Sequence, residues 1–252
     1  MKKNPKVSIL LPYYGDRYSQ LEKSLLFLCN QTYKNYEIIF LNDGRQKTTD
    51  RDPTEMVTHS KIKHFHIRKG IVPIRSPNIA YRLGFYNCDG DFIITTHPEH
   101  LVPYDAVSRM VKWADFGRRN VATQHHLTPE QIYYLFGDGL KTGWKKDFRK
   151  IKDVPGFMAT RTPWGYTNFD AHTYANSFSW SGSTRERYNK FLIPPTEEWG
   201  KEDCYVIDME KELGEPSVPI NIDVYHQEHD RVYGTITEAS VRIQRIRESR
   251  LK

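Results

Sequence analysis

Short apolar runs recur along the first hundred residues, separated by segments whose apolar positions return every three or four residues. "KVSILL" (6–11) and "YEIIFL" (36–41) read as buried strands, and "KIKHFHI" (61–67) alternates as a strand does. Between the first two, "YSQLEKSLLFLCNQ" carries Leu21, Leu25, Leu28 and Cys29 on one helical stripe. Ser19 followed by Glu22 predicts a capping box at its start. "SPNIAYRLGFYN" (76–87) opens with Ser76 as cap and Pro77 at the first helical position. "DFIITT" (91–96) is a fourth strand and "PYDAVSRMVKWADF" (103–116) an amphipathic helix.

This alternation predicts an α/β fold: an open, mostly parallel sheet with helices on both faces. After Asn120 the pattern loosens. "TPEQIYYLF" (128–136) reads as a capped helix, and Gly137 to Phe178 as long loops rich in aromatic residues. "KEDCYVIDMEKELG" (201–214) is a helix closed by Gly214, "SVPINIDV" (217–224) a strand, and 239–252 a basic terminal helix. No repeat or linker interrupts the chain, so 1–252 is expected to form one domain with two halves.

One strand ends oddly. "FIITTHPEHLVP" (92–103) runs from a core strand straight into His97, Glu99 and His100 around a proline. Burying such groups is costly unless something pairs with them. In open α/β sheets ligands bind at the carboxyl ends of strands. "PYYGDR" (12–17), "NDG" (42–44) and "THPEH" (96–100) all fall there, so one crevice is expected to hold Tyr13, Tyr14, Asp43, His97 and Glu99. Taken alone, "NDG" also suits a solvated turn. On an extended segment His97 and Glu99 would face one side, a reasonable pair for Mn²⁺ or Zn²⁺; a surface turn is the plainer alternative. "YHQEHD" (225–230) holds His226 and His229 at a spacing that suits a shared metal or a turn. The carboxylates of "EEWGKED" (197–203) suit a helix start by the dipole alone, or supply a general base.

Composition narrows the classes. Apolar content of 38% and charged content of 27% fit a globular chain rather than a disordered one. No apolar run approaches the ~20 residues of a membrane span. The opening residues lack a signal-peptide core, so a cytoplasmic location is expected, in a host cell if the source is viral. Cys29, Cys88 and Cys204 are odd in number and read as buried thiols. The net charge of +6 favours anionic partners, nucleic acid or an acidic membrane face among them, although solubility alone accounts for it. There is no G-x-G-x-x-G after the first strand, no P-loop and no G-x-S-x-G elbow, which argues against dehydrogenases, P-loop NTPases and α/β-hydrolases.

"VSILLPYYGDRYSQLEKSLLFLCNQTYKNYEIIFLNDG" (7–44) resembles the opening of the inverting GT-A glycosyltransferases of family two. That opening has a V-S-I-I-I-P-x-Y strand, an S-L-x-S-L helix, then Q-T-Y-x-N-x-E-I-I and D-D-G-S. "IAYRLGFYNCDGDFIITTHPEHLVP" is similar to their segment ending in D-x-D, "SGSTRERYNKF" to a later G-x-x-x-x-R-R-E-x-F, and "WGKEDCYVIDMEKELG" to the E-D helix. The resemblance implies a Rossmann-like GT-A fold with a nucleotide-sugar half (1–101) and an acceptor-side, catalytic half (102–252). It implies a nucleotide-diphosphate sugar donor, UDP foremost, bound by Pro12, Tyr13, Tyr14 and Asp43, with Arg75 or Arg82 on the phosphates. It implies Mn²⁺ or Mg²⁺ held by Glu99 and His226, or less directly His229, with His97 near the metal or ribose. Asp203, beside Glu202, falls on the catalytic base. "HPE" in place of D-x-D, and Tyr81-Arg82 in place of Arg-Asn, depart from the pattern. The acceptor stays open at this level: a glycan, a lipid-linked sugar, or hydroxymethylated pyrimidine in DNA as for a phage-type enzyme. An inactive GT-A fold that binds nucleotide-sugar or nucleic acid is the alternative.

Overall fold

The computed structural model describes residues 4–13, 17–42, 59–67, 77–138, 140, 180–192 and 202–227. The described strands join in one eight-stranded sheet ordered β3-β2-β1-β4-β7-β6-β8-β5. They are β1 (Val7–Tyr13), β2 (Tyr36–Asn42), β3 (Ile62–His66), β4 (Phe92–Thr95), β5 (His100–Leu101), β6 (Asn120–Leu127), β7 (Ser181–Thr184) and β8 (Val218–Gln227). The helices are α1 (Tyr18–Cys29), α2 (Pro77–Asn87), α3 (Ala106–Trp113), α4 (Pro129–Phe136), α5 (Arg185–Lys190) and α6 (Glu202–Glu212).

The first half is the expected parallel sheet: β1 pairs in parallel with β2 and β4, and β2 with β3. Strands β1, β2 and β4 are apolar on both faces because both faces are covered, whereas the edge strand β3 mixes half-buried and exposed positions. Val7, Ile9, Leu11 and Tyr13 pack with Ile38 and Phe40 against Leu21, Leu25 and Leu28 of α1. Leu10, Ile39, Leu41 and Ile93 turn the other way, onto Ala80, Tyr81 and Phe85 of α2 and Val206 of α6. Gly84 lets α2 lie close, since a Cβ there would meet Leu41 Cδ1 at 2.7 Å. Pro12 sits beyond the last β4 pair, Leu10 with Thr95, where β1 has a single neighbour.

The second half is mixed. β7 runs antiparallel to β4 and β6, β5 antiparallel to β8, and β6 parallel to β8 with a register shift at Ala122/Thr123. Strand β6 has no apolar alternation to announce it. Its polar His125 reaches across the sheet, Nε2 lying 2.8 Å from Oδ1 of Asp223 in β8. The capping box expected at Ser19 does not form. Arg17 is the N-cap of α1 with no side-chain cap, and Ser19 Oγ donates to Gln20 instead. Thr128 and Gln131 do form one at α4, and Gly214 closes α6 at φ +65°. The loops expected over Gly137–Phe178 and the basic helix at 239–252 lie almost wholly outside the described residues.

The stretch "NQTYKNY" proves structural. Gln31 is buried, donates to the Phe27 and Pro103 carbonyls and accepts from Val107 N–H, so it splices α1 to α3. Tyr33 O–H donates to the Pro5 carbonyl. At the amino ends of the strands, buried Glu37 accepts from Ser8 at 2.6 Å and Lys63 at 2.7 Å, with Lys6 and Asp89 alongside. Arg119 and Glu210 form a buried, two-bond ion pair at 2.8 and 3.1 Å, which ties α6 to the start of β6. Arg187 holds the residues after α6 through Glu215.

Removing one member of a buried pair strands the other charge. Arg119→Met is therefore expected to cost about 3–5 kcal/mol, with much of the loss recovered by adding Glu210→Leu. Urea unfolding checks this; equal midpoints for wild type and Arg119→Met would refute it. Hydrogen bonding to Glu37 and to Lys6 holds the Asp89 carboxyl below its ordinary range. Its contribution to stability is thus complete above the ordinary value of 3.8 and is lost as pH falls through the depressed one. Wild type is expected to lose stability on acidification below that value with a steeper slope than Asp89→Asn, and salt should shrink the difference.

Candidate functional site

The chain leaves β4 at Thr95 and enters β5 at His100, yet β7, β6 and β8 stand between those strands in the hydrogen-bonded order. So short a crossing requires the sheet to curl until the end of β8 comes beside the end of β4. Glu99 lies in that crossing and His226 near the end of β8, where His100 pairs with His226.

Residues 97–100 form a turn, closed by His100 N–H to the His97 carbonyl at 3.1 Å. The extended geometry expected for His97 and Glu99 is therefore replaced by a turn, because Pro98 follows a strand that has run out of partners. The turn still gathers the two side chains. Glu99 is 3% exposed. Its Oε1 lies 2.8 Å from Arg17 Nη1, 3.4 Å from His226 Nε2 and 3.8 Å from His97 Nδ1. The His100 ring lies 5.0 Å from His97 and 5.5 Å from His226. His100 Nδ1 accepts from His97 N–H at 3.2 Å, which assigns its proton to Nε2. Tyr81 O–H donates to the Thr96 carbonyl at 2.8 Å, so α2 fixes the end of β4. Gln227 bridges the group: its N–H and its side-chain amide both donate to the Glu99 carbonyl, and the amide also reaches the Gln20 carbonyl at 3.3 Å.

Of the expected site residues, His97, Glu99 and His226 thus come together. Pro12, the next-to-last residue of β1, is half-buried. Tyr13 is 1% exposed and packs on Phe40 in the core, since residue 13 continues the inward-facing series of β1. Arg82 lies over the Tyr86 ring of its own helix and lines a crevice of about 30 Å³ with Asn78, Tyr81, Ser181 and Ser183. Asp203 and Glu202 fall in the first turn of α6, whose backbone is described; their side chains lie outside the described residues. Tyr14, Asp43, Arg75 and His229 also lie outside. Cys29 and Cys88 are free thiols, and burial pushes Cys29 up to about 12, which leaves it inert as a nucleophile.

Sequence reasoning missed Arg17 and Gln227. An arginine beside a helix start is unremarkable in one dimension, and so is a glutamine between histidines. Among the described residues, no group of three or more His, Cys, Asp and Glu side chains closes round one point as a ready-made chelate.

A curled, mostly parallel sheet flanked by helices, with its polar cluster at the strand ends, defines a GT-A glycosyltransferase fold. The chain belongs to glycosyl transferase family 2, whose family model matches residues 8–171. It is similar to an uncharacterized glycosyltransferase of Haemophilus influenzae, 25% identical over 53% of this chain and 49% of that one. It is also similar to the undecaprenyl-phosphate 4-deoxy-4-formamido-L-arabinose transferase of Proteus mirabilis, 29% identical over 47% of this chain and 36% of that one. The chain thus matches half or less of the length of these relatives. Among solved structures, the mannosyltransferase PcManGT of Pyrobaculum calidifontis, in complex with GDP-Man and Mn²⁺, superposes with a TM-score of 0.57 at 14% identity, over 91% of this chain and 59% of that one. S. aureus TarS 1–349 with UDP-GlcNAc gives 0.58 at 10%, over 92% and 60%. Among the described residues no helix is long and apolar enough to cross a membrane.

Gln227→Ala should loosen the turn without unfolding the protein. We expect a loss of about 1–2 kcal/mol and faster hydrogen exchange at amides 97–101. Unchanged exchange there would show that the bridge does not hold the site.

Proposed function

We propose that this chain transfers a sugar from a nucleotide-diphosphate donor, UDP-linked in the first instance, to an acceptor hydroxyl with inversion at the anomeric carbon. The observation that carries the reading is the convergence of Glu99, His97 and His226 at the carboxyl edge of the sheet. The names of the relatives add weight to a lipid-linked or glycan acceptor over DNA.

The residues fit a divalent cation such as Mn²⁺ or Mg²⁺. One carboxylate and two imidazoles are donors such an ion can take, and from separations of 3.4 and 3.8 Å small side-chain shifts would bring them to the ~3 Å spacing of neighbouring ligands on one ion. Glu99 and His226 would hold the ion, with His97 beside them. Such an ion neutralises charge developing on the leaving diphosphate. The protein's own part is positional. Tyr81 and Gln227 hold the turn that presents Glu99, and the Arg119–Glu210 pair holds α6. Asp203, in the first turn of α6, takes the proton from the acceptor hydroxyl as its oxygen attacks the anomeric carbon and the nucleoside diphosphate departs; Glu202 stands next to it in the chain.

Nucleotide release from a panel of UDP- and GDP-sugars, with and without Mn²⁺, tests the reading. Lipid-linked saccharide, crude glycan and hydroxymethylated duplex DNA serve as acceptors. Asp203→Asn is expected to lower turnover about 10²–10⁴-fold with donor affinity retained. Glu99→Ala is expected to abolish the Mn²⁺ dependence of nucleotide binding. Nucleotide binding without release under every condition would instead identify a binding module, the reading that the His-x-Glu substitution favours.

A further inference from the structure

We propose that Arg17 is a built-in counter-cation for Glu99 which a divalent metal must displace, so that metal and nucleoside diphosphate enter this site as a coupled pair. The inference rests on the reading of Glu99 as a metal ligand.

The geometry begins with charge. A carboxylate as buried as Glu99 is not stable as an anion without a compensating group. Arg17 supplies one, with Nη1 2.8 Å from Oε1 and a side chain only 19% exposed. The contact is built rather than incidental. Arg17 is the N-cap residue of α1, and the Gln227 amide bonds both the Gln20 carbonyl in the first turn of that helix and the Glu99 carbonyl. The helix start and the 97–100 turn are therefore held against each other.

A metal ion and a guanidinium compete for the same oxygen and repel one another. Both imidazole nitrogens approach Oε1, the oxygen that Arg17 already engages. Metal entry must break the Arg17–Glu99 bond, and metal alone leaves a partly buried guanidinium without its anion. A diphosphate resolves the conflict. Arg17 lies four residues beyond Tyr13, the last residue of β1, on the side of the sheet where the strands end. A guanidinium binds phosphate oxygens with the same fork that binds a carboxylate. The diphosphate thus takes over Arg17 while adding negative charge for the metal. The site holds metal firmly only when the donor is present, and Arg17 returns to Glu99 after both depart.

Direct Mn²⁺ binding, read by the electron paramagnetic resonance signal of the free ion, tests this without turnover. Wild type, Arg17→Met, Arg17→Lys and Glu99→Gln are titrated with Mn²⁺ alone and with Mn²⁺ plus UDP or GDP. A protein-free titration of Mn²⁺ with each nucleotide corrects for metal held by nucleotide in solution. Wild type is expected to bind Mn²⁺ about tenfold or more tighter with its preferred diphosphate than without. Arg17→Met is expected to bind Mn²⁺ alone about tenfold tighter than wild type, with the coupling to diphosphate largely lost, while Arg17→Lys keeps the charge and stays near wild type. Equal Mn²⁺ affinity with and without diphosphate in wild type overturns the proposal, whatever the variants do. So does an Arg17→Met protein that binds Mn²⁺ alone no tighter than wild type. If Glu99→Gln binds Mn²⁺ as wild type does, the metal-ligand reading itself has failed, and the role of Arg17 falls with it.

Discussion

The structure turns on one buried carboxylate. Glu99 stands in the crossing from β4 to β5, and nitrogen-bearing side chains meet it from its own turn and from two distant parts of the chain. Arg17 comes from the start of α1, His97 from the same turn, and His226 from the end of the last described strand. The His226 contact exists only because the sheet curls far enough to place β8 beside β4. The curl that closes the hydrogen-bonded order therefore also assembles the polar cluster.

The two ends of the sheet treat charge differently. At the amino ends, Glu37 is met by Ser8, Lys6 and Lys63 and by the Asp89 N–H, an arrangement that locks β1, β2 and β3 together. At the carboxyl end, Glu99 is met by two imidazoles and by a guanidinium on a helix cap.

The second half anchors α6 at more than one point. Helix α6 bears Asp203 in its first turn and is anchored near its far end by the Arg119–Glu210 pair, then by Arg187 to Glu215 just beyond it. A buried ion pair adds little net stability against an apolar substitute, but it is selective about geometry. Arg185 performs a similar service for α2, donating to the Phe85, Cys88 and Gly90 carbonyls at its end.

The sequence by itself determined the first half of the fold. Apolar runs of strand length, helical stripes and the residues of 7–44 follow local periodicity, which needs no knowledge of partners. It also marked His97, Glu99 and His226 as candidates, because ionisable groups beside a core strand are conspicuous. Strand β6 was not legible, since "NVATQHHL" becomes strand only by pairing between β7 and β8, with Asp223 answering His125. The burial of Tyr13 was not legible either, because strand phase, not side-chain chemistry, sends its ring into the core. Arg17 and Gln227 were invisible, since their meaning lies wholly in groups 82 and 128 residues away along the chain. Local pattern writes the elements. Which charge meets which is settled only when the sheet curls, because electrostatic pairing depends on distance in space and is indifferent to distance along the chain.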